Sequence, residues 1–540
     1  MREEFVGTLG VLLAVTIGIV AHLALTPYGI ATSPDSISYF DAASHIRNGD
    51  GYVQTNYALD ESTSTVPQTT WPPLYPAAVA VARSFASTTP AAASYVNIAV
   101  LVLTVLALHA LLRDTAGPAV GALAAVGLVL AKPTLTAFSY AWSEPLFVAC
   151  LLVSLYLIQR SQIFAAEDRA GWHFVSVILL AVTLAGLFYT RYVGFLFAPL
   201  LPLCWLLLSR KRRFLLHYVA AGSVYAAACA ALLFRNQMLA GDVRGLDIGN
   251  SVRSDSQLSV FDNSRDLLNA LGSSLPASPV AWIVALLAAA AVVAALRNRS
   301  AVSASRQGPH HFLLTRTLGI ATAVSALAYA GGLILLRTLT SFDRIDIRYV
   351  SVLLPLLVIG LALALTWRRD RADRLTPQAL VALLSAVLLL GFGIKGVEAY
   401  NSALANLRDH GVPKFDARGD FHYVSYTVDP DRSTNRRFVR SLLAERDGMI
   451  IADRPDILLY LGGLPLGRDR ARAFPDGRLS EEILGDLNTV GAGGWLVLEN
   501  DSDAAARLRE YYGENFDKVP FVERYKPSGA LVTGVPLPDR

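Results

Sequence analysis

Apolar positions along this chain fall in long unbroken blocks, without the 3.6- or 2-residue alternation of half-buried soluble elements. Residues 276–296 (PASPVAWIVALLAAAAVVAAL) carry no charge, and residues 91–131 carry only Arg113 and Asp114, placed as a turn between two runs. An apolar stretch of about 18 residues or more can cross the roughly 30 Å hydrocarbon core of a bilayer as a helix. The blocks predict roughly eleven spans, at residues 5–26, 91–112, 116–131, 145–159, 173–190, 192–209, 214–234, 277–296, 317–336, 349–367 and 376–394. The first block follows MREE, is long for the apolar part of a signal peptide and lacks a small-residue cleavage site, so it reads as an uncleaved span.

Lys and Arg accumulate on the cytoplasmic side of short loops. The clusters Arg210-Lys211-Arg212-Arg213, Arg297 with Arg299, and Arg368-Arg369 with Arg371 and Arg374 are separated by even numbers of spans. They share one face, the cytoplasmic one, and the N-terminus joins them there. Residues 27–90, 132–144, Arg191, 235–275, 337–348 and the chain from Lys395 are then extracytoplasmic, as in a multi-pass protein of the plasma (inner) membrane. The expected organisation is a membrane domain over 1–394, with its first outer loop at 27–90, and an outer domain over 395–540. That tail alternates short apolar runs (GMIIA, GWLVLE, GALVTG) with helix-like stretches (RRFVRSLLAER, DAAARLREYY), the pattern of a soluble α/β domain.

Composition sharpens this picture. Of 540 residues, 53% are hydrophobic and 17% charged, against about 25% charged in an average soluble domain, which excludes a soluble enzyme of this size. The net charge of +4 sits at helix ends, so nothing points to nucleic acid. Cys150, Cys204 and Cys229 all lie inside apolar blocks, with neither a disulfide framework nor metal-ligand spacing. The chain has no Walker loop, HExxH, or G-x-S-x-G in a strand-turn-helix setting. Mid-span charges, which secondary transporters use near the midplane, are essentially missing.

The polar chemistry gathers on the outer face. In SPDSISYFDAASHIRNG, Ser33 is placed as an N-cap, Pro34 at the first helical position and Gly49 at the stop, predicting a helix with Asp35 in its first turn. Ile37, Phe40 and Ile46 give it an apolar side suited to lying on the membrane, and Asp41 and Asp50 read as solvated or turn residues. WPPLYPAAVAVARSF predicts a second surface helix, with Trp71 and Tyr75 at headgroup depth. Asp35 serves either as a favourable helix-terminus charge or as chemistry presented to a lipid-borne substrate. Glu144 in SEPLF has the same two readings. Arg191 in FYTRYVGF, an outer cation with almost no loop around it, calls for lipid headgroups in general or for the phosphate of one bound lipid. Arg348 in DRIDIRYVSVLLP pairs either locally, with Asp343 or Asp346, or with phosphate. Arg235 ends another span outside, and the guanidinium fork suits phosphate.

Taken in order, SPDSISYFDAA, PPLYP at Pro72–Pro76, SEPLF at Ser143–Phe147, TRYVGF at Thr190–Phe195, Arg235-Asn236 and IRYVSVLLP ending at Pro355 resemble the GT-C superfamily of glycosyltransferases. The resemblance is to the branch of protein mannosyltransferases, lipid A aminoarabinose transferases and rhizobial lipopolysaccharide core galacturonosyltransferases, and covers about the first 395 residues. It implies transfer of a sugar from a polyprenyl-phosphate donor to an envelope glycan, lipid or protein on the outer face, usually with inversion, and it makes Asp35 the general base. Candidate substrate contacts are Tyr39, Trp71, Tyr75, Glu144, Arg191, Tyr192, Arg235, Arg344 and Arg348. Many relatives carry a second acid beside the first-loop aspartate, whereas Ser36 follows here, so no metal ligands are assigned; the cofactor is unknown, a divalent metal lacking its paired acidic motif. The competing class is a transporter or flippase of an envelope lipid or lipid-linked sugar, with a scaffold for envelope assembly as a third.

Overall fold

The computed structural model describes residues 2–27, 29–57, 64–208, 212–241, 259–273, 308–339, 345–366 and 377–410, and five strands between 450 and 536. In chain order the elements are α1 (Arg2–Leu25), α2 (Pro34–Asn48), β1 (Val53–Thr55), β2 (Thr65–Pro67), α3 (Leu74–Ala82), α4 (Thr89–Arg113), α5 (Pro118–Leu130), α6 (Lys132–Ser139), α7 (Glu144–Ala166) and α8 (Ala170–Thr190). A 3₁₀ turn (Tyr192–Phe197) leads to α9 (Leu200–Leu208), α10 (Arg212–Ala240), α11 (Val260–Ser273), α12 (Gly308–Leu339), α13 (Ile347–Thr366) and α14 (Pro377–His410). The strands that follow are β3 (Ile450–Ala452), β4 (Ala471–Ala473), β5 (Trp495–Glu499), β6 (Val522–Glu523) and β7 (Val532–Pro536). The chain packs as two units: one holds 1–25, 69–78 and 94–404, the other 26–68, 79–93 and 405–540.

The first unit is a helical bundle. Among the described residues seven helices are long and apolar enough to cross a membrane: α1, α4, α7, α8, α10, α12 and α13. Their outward positions are apolar too. Leu9, Leu12 and Leu23 of α1, Leu327 of α12 and Phe234 of α10 are all exposed, as expected of helices hydrophobic all round and solvated by lipid. Inside, Phe147, Leu151 and Leu155 of α7 pack with Leu180 and Leu184 of α8 and with Val350 and Leu354 of α13.

Three expectations for this bundle change. Residues 132–144, expected as a short outer connection, contain the helix α6, every residue of which is buried. Ala131 is extended (φ −69°, ψ 138°) and Pro133 restarts the helix, so α5 and α6 form a pair bent by 61°, an eighth span if taken as one. Lys132 and Pro133 look like a loop in sequence because the break lies between two buried pieces. The expected span at 192–209 is a 3₁₀ turn and a nine-residue helix, shorter than a crossing. Residues 235–275, read only as an outer segment, include the amphipathic helix α11. The expected span at 277–296 lies outside the described residues, and residues 377–394 of the one expected at 376–394 lie in α14.

In the second unit, α2 starts and stops where the sequence places it. Ser33 N–H donates to Ser36 Oγ (3.0 Å), and Gly49 takes the left-handed conformation (φ 89°) that a side chain would disfavour. Its apolar side does not lie free for a membrane, because Ile37 and Phe40 are buried within the protein. Asp41 is buried as well, correcting its reading as a solvated residue. Its carboxylate accepts the amide (2.6 Å) and hydroxyl (2.8 Å) of Thr55 and so fastens β1 to α2. His45 reaches the exposed Asp50 (2.9 Å) and Thr55 (3.1 Å) from the same helix. The apolar runs of the tail form strands in a sheet of order β4-β3-β5-β7-β6. Strands β4, β3 and β5 run parallel, with Ile451 opposite Leu496, and β7 runs antiparallel to β5, with Val497 opposite Gly534. The two helix-like stretches of the tail lie outside the described residues.

Candidate active site

Three ends of the bundle helices bring sequence-distant charges together. Ser143 precedes α7, Pro145 sits in its first turn, and Glu144 thereby takes a position where the helix dipole favours an acid. Arg191 follows the last turn of α8 in extended conformation (φ −152°, ψ 135°), its amide closing on the Leu187 carbonyl (2.9 Å). The reversal into the 3₁₀ turn needs Gly194, since a Cβ there would overlap the Leu187 carbonyl. Arg348 lies in the first turn of α13, where its amide donates to Asp346 Oδ1 (2.8 Å).

Glu144, only 1% exposed, accepts a hydrogen bond from Arg191 and forms an ion pair with Arg348. Its Oε1 is 2.5 Å from Arg191 Nη1 and 2.9 Å from Arg348 Nε. Arg191 Nη1 also donates to Ser143 Oγ (3.3 Å), and Arg348 Nη2 donates to the Tyr349 hydroxyl (2.9 Å). Aromatic rings hold the guanidinium planes. Arg348 lies 5.6 Å from the Trp142 ring centre and 5.0 Å from that of Tyr349, and Arg191 lies 5.6 Å from Tyr349. Trp142 in turn stacks on Tyr140 at 4.4 Å. Two cations thus share one carboxylate in a buried aromatic setting, an arrangement able to bind an anionic group.

The loop bearing Trp142 and Glu144 is clamped from behind. Asn97 of α4 donates to the carbonyls of Phe138 (2.9 Å) and Tyr140 (2.8 Å). His22 of α1 reaches the Phe138 carbonyl (2.9 Å) and Ser94 (2.7 Å). A second polar contact ties α10 to the turn after Arg191. The Tyr192 hydroxyl donates to the Thr69 carbonyl (2.7 Å) and accepts from Asn236 Nδ2 (2.8 Å). Burial raises the Tyr192 phenol above its ordinary range, the Asn236 hydrogen bond and Arg235 partly opposing, so it acts as a neutral donor.

Of the residues singled out by sequence, Glu144, Arg191 and Arg348 meet directly, with Tyr192 adjoining Arg191. Arg235 is half-buried, beside Asn236 Oδ1 at 3.3 Å. Trp71 is half-buried, whereas Tyr75 is fully buried with its hydroxyl 3.5 Å from Asn97 Oδ1, a core position and not a headgroup-level one. Asp35 is half-buried in the first turn of α2 and Tyr39 is buried on the same helix, both in the second unit. Arg344 lies outside the described residues. Arg348 meets Glu144, an acid distant in sequence, while its amide donates to the nearby Asp346; Asp343 is outside the described residues. Trp142, Tyr349, Asn97 and His22 escaped sequence reasoning. The signal for His22 was a titratable residue near the end of an apolar span, and for Trp142 and Tyr349 their adjacency to the charges. Among the described residues no three His, Cys, Asp or Glu side chains cluster to hold a metal ion.

No protein-family model matches the chain, and no curated protein matches it in sequence. Solved structures do match in shape. ArnT from Cupriavidus metallidurans bound to undecaprenyl phosphate superposes with a TM-score of 0.55 at 12% identity, covering 97% of each chain. The oligosaccharyltransferase AglB from Archaeoglobus fulgidus, in complex with an inhibitory peptide and a dolichol-phosphate, gives 0.50 at 11% identity over 97% of this chain and 74% of its own. The mycobacterial arabinofuranosyltransferase AftD gives 0.51 at 15% identity, over 98% of this chain and 40% of its own. A likeness that spans nearly the whole chain at such low identity speaks for architecture, and the chain therefore has the fold of the GT-C membrane glycosyltransferases.

Proposed function

We propose that the protein is an integral membrane glycosyltransferase that moves a sugar from a polyprenyl-phosphate donor to an envelope glycan, lipid or protein on the extracytoplasmic face. The observation that carries the reading is the buried Glu144–Arg191–Arg348 cluster, in a fold whose solved examples include complexes with undecaprenyl phosphate and dolichol-phosphate. In the reaction the acceptor oxygen attacks the anomeric carbon, its proton goes to the Asp35 carboxylate, and the bond from that carbon to the phosphate oxygen breaks. General base catalysis of this kind contributes about 10² to 10⁴ in rate. Arg191 and Arg348, with Arg235 beside Tyr192, stabilise the charge that grows on the departing phosphate, where fixed donors act most strongly. Glu144 sets the spacing of the two guanidinium groups, and Trp142 and Tyr349 set their planes.

Purified protein in lipid vesicles, offered a panel of radiolabelled lipid-linked sugars and an envelope extract, should move label from the lipid to the acceptor fraction. Label that crosses a sealed vesicle still attached to its lipid, with no transfer, would replace the enzyme by a flippase.

A further inference from the structure

Helix α11 divides its surface three ways. A Ser259–Asp262 capping pair begins it: Ser259 Oγ donates to Asp262 Oδ2 (2.7 Å), and the Asp262 amide donates back to Ser259 Oγ (3.2 Å). One sector is fastened to the end of the α12 span. Asp266 pairs with the buried Arg337 (3.1 Å), and Asn263 Nδ2 donates to Thr338 Oγ1 (3.0 Å). Thr338 is the last residue of that span, so the helix is held at the level where the span ends. Leu267 is buried on this side as well.

The other two sectors differ in chemistry. At about 100° per residue, Val260, Phe261 and Leu268 project within an arc of roughly 100°, and they are 56%, 75% and 48% exposed. Ser264 falls inside the same arc, and its hydroxyl turns back onto the Val260 carbonyl (2.7 Å). The remaining arc carries Asp262, Arg265, Asn269 and Ser273, of which Arg265, Asn269 and Ser273 are exposed. A helix between protein and water needs two faces. This one has a third, apolar and open, and Leu335 on α12, one turn before the anchoring Thr338, is also exposed (55%). The open apolar sector thus shares with Leu335 the exposed apolar character of the bundle's outward positions.

We propose that α11 is an interfacial helix, its Val260–Phe261–Leu268 sector seated among the lipid acyl chains just below the headgroups and its Arg265–Asn269 sector in water. Apolar area buried in this way holds a helix in the membrane plane, and Arg265, at the border of the two sectors, can extend its head to the phosphates while its stem covers apolar surface. The Asp266–Arg337 and Asn263–Thr338 contacts then couple the lipid boundary to the α12 span.

The test is spin-label accessibility in the full chain, with Cys150, Cys204 and Cys229 replaced by alanine, reconstituted in phosphatidylcholine and phosphatidylglycerol vesicles. Single labels at Phe261→Cys and Leu268→Cys should collide with oxygen several-fold more, relative to a water-soluble nickel chelate, than a label at Asn269→Cys. All three sites are exposed, so labelling leaves the packing intact. Equal nickel accessibility at 261 and 269 would place the apolar sector in water and overturn the proposal. Protection of 261 and 268 from both reagents would show that protein covers them, and would overturn it equally.

Discussion

Glu144 and Arg348 stand on different helices, and their contact can be measured as a coupling. Replacing Glu144 by Gln removes the charge of a carboxylate that is 1% exposed and touches two guanidinium groups. Removing one partner of a buried ion pair costs about 3–5 kcal/mol, most of it from the stranded opposite charge. Arg348→Gln leaves Glu144 with Arg191, so its cost falls at the lower end, about 3 kcal/mol. In the double variant the loss of Arg348 relieves part of the positive charge that Glu144→Gln strands. Residues joined in one ion-pair network couple by about 0.5–3 kcal/mol, so the double variant should be less destabilised than the sum of the singles by about 2 kcal/mol. Equilibrium unfolding of the full chain in mixed micelles, run on wild type, both singles and the double, gives this number. Additivity within about 0.5 kcal/mol, the behaviour of sites that do not touch, would refute the proposed contact.

Three further outcomes follow from the same geometry. Arg348→Lys keeps the charge but loses the planar group between Trp142 and Tyr349, so KM for a lipid-linked donor should rise about tenfold, with protein yield unchanged; an unaltered KM would remove Arg348 from donor binding. Asn97→Leu removes one donor from each of the Phe138 and Tyr140 carbonyls, which keep His22 and the Trp142 amide, at a cost of about 0.5–1.5 kcal/mol per lost hydrogen bond, which should show as lowered thermal stability and lowered kcat together, since the same loop carries Glu144. Gly194→Ala forces a methyl group onto the Leu187 carbonyl and should displace Arg191, destabilising the protein by about 1–3 kcal/mol; a wild-type unfolding curve would contradict the tight reversal.

The membrane bundle was legible because a span announces itself by length and apolarity alone, without any knowledge of its neighbours. α6 was not, since Lys132-Pro133 carries the local marks of a loop and only burial on all sides keeps its eight residues helical. The apolar side of α2 was visible at Ile37 and Phe40, but periodicity does not say whether such a side meets lipid or protein, and here it meets protein. The same ambiguity hid the part of α11 that matters, because its anchors on Arg337 and Thr338 come from another helix. In the candidate site the charges were visible and their partners were not. Arg348 has acids nearby in sequence, but its contact with Glu144 joins distant parts of the chain, and the clamps from His22 and Asn97 act on backbone carbonyls, which no residue pattern displays.

Single-turnover transfer from a radiolabelled polyprenyl-phosphate sugar, compared between wild type and Asp35→Asn in the same vesicles, measures the proposed chemistry itself. The wild type should transfer label and Asp35→Asn should lose about 10² to 10⁴ in rate, with donor binding and unfolding unchanged. Transfer by Asp35→Asn at the wild-type rate would contradict that chemistry.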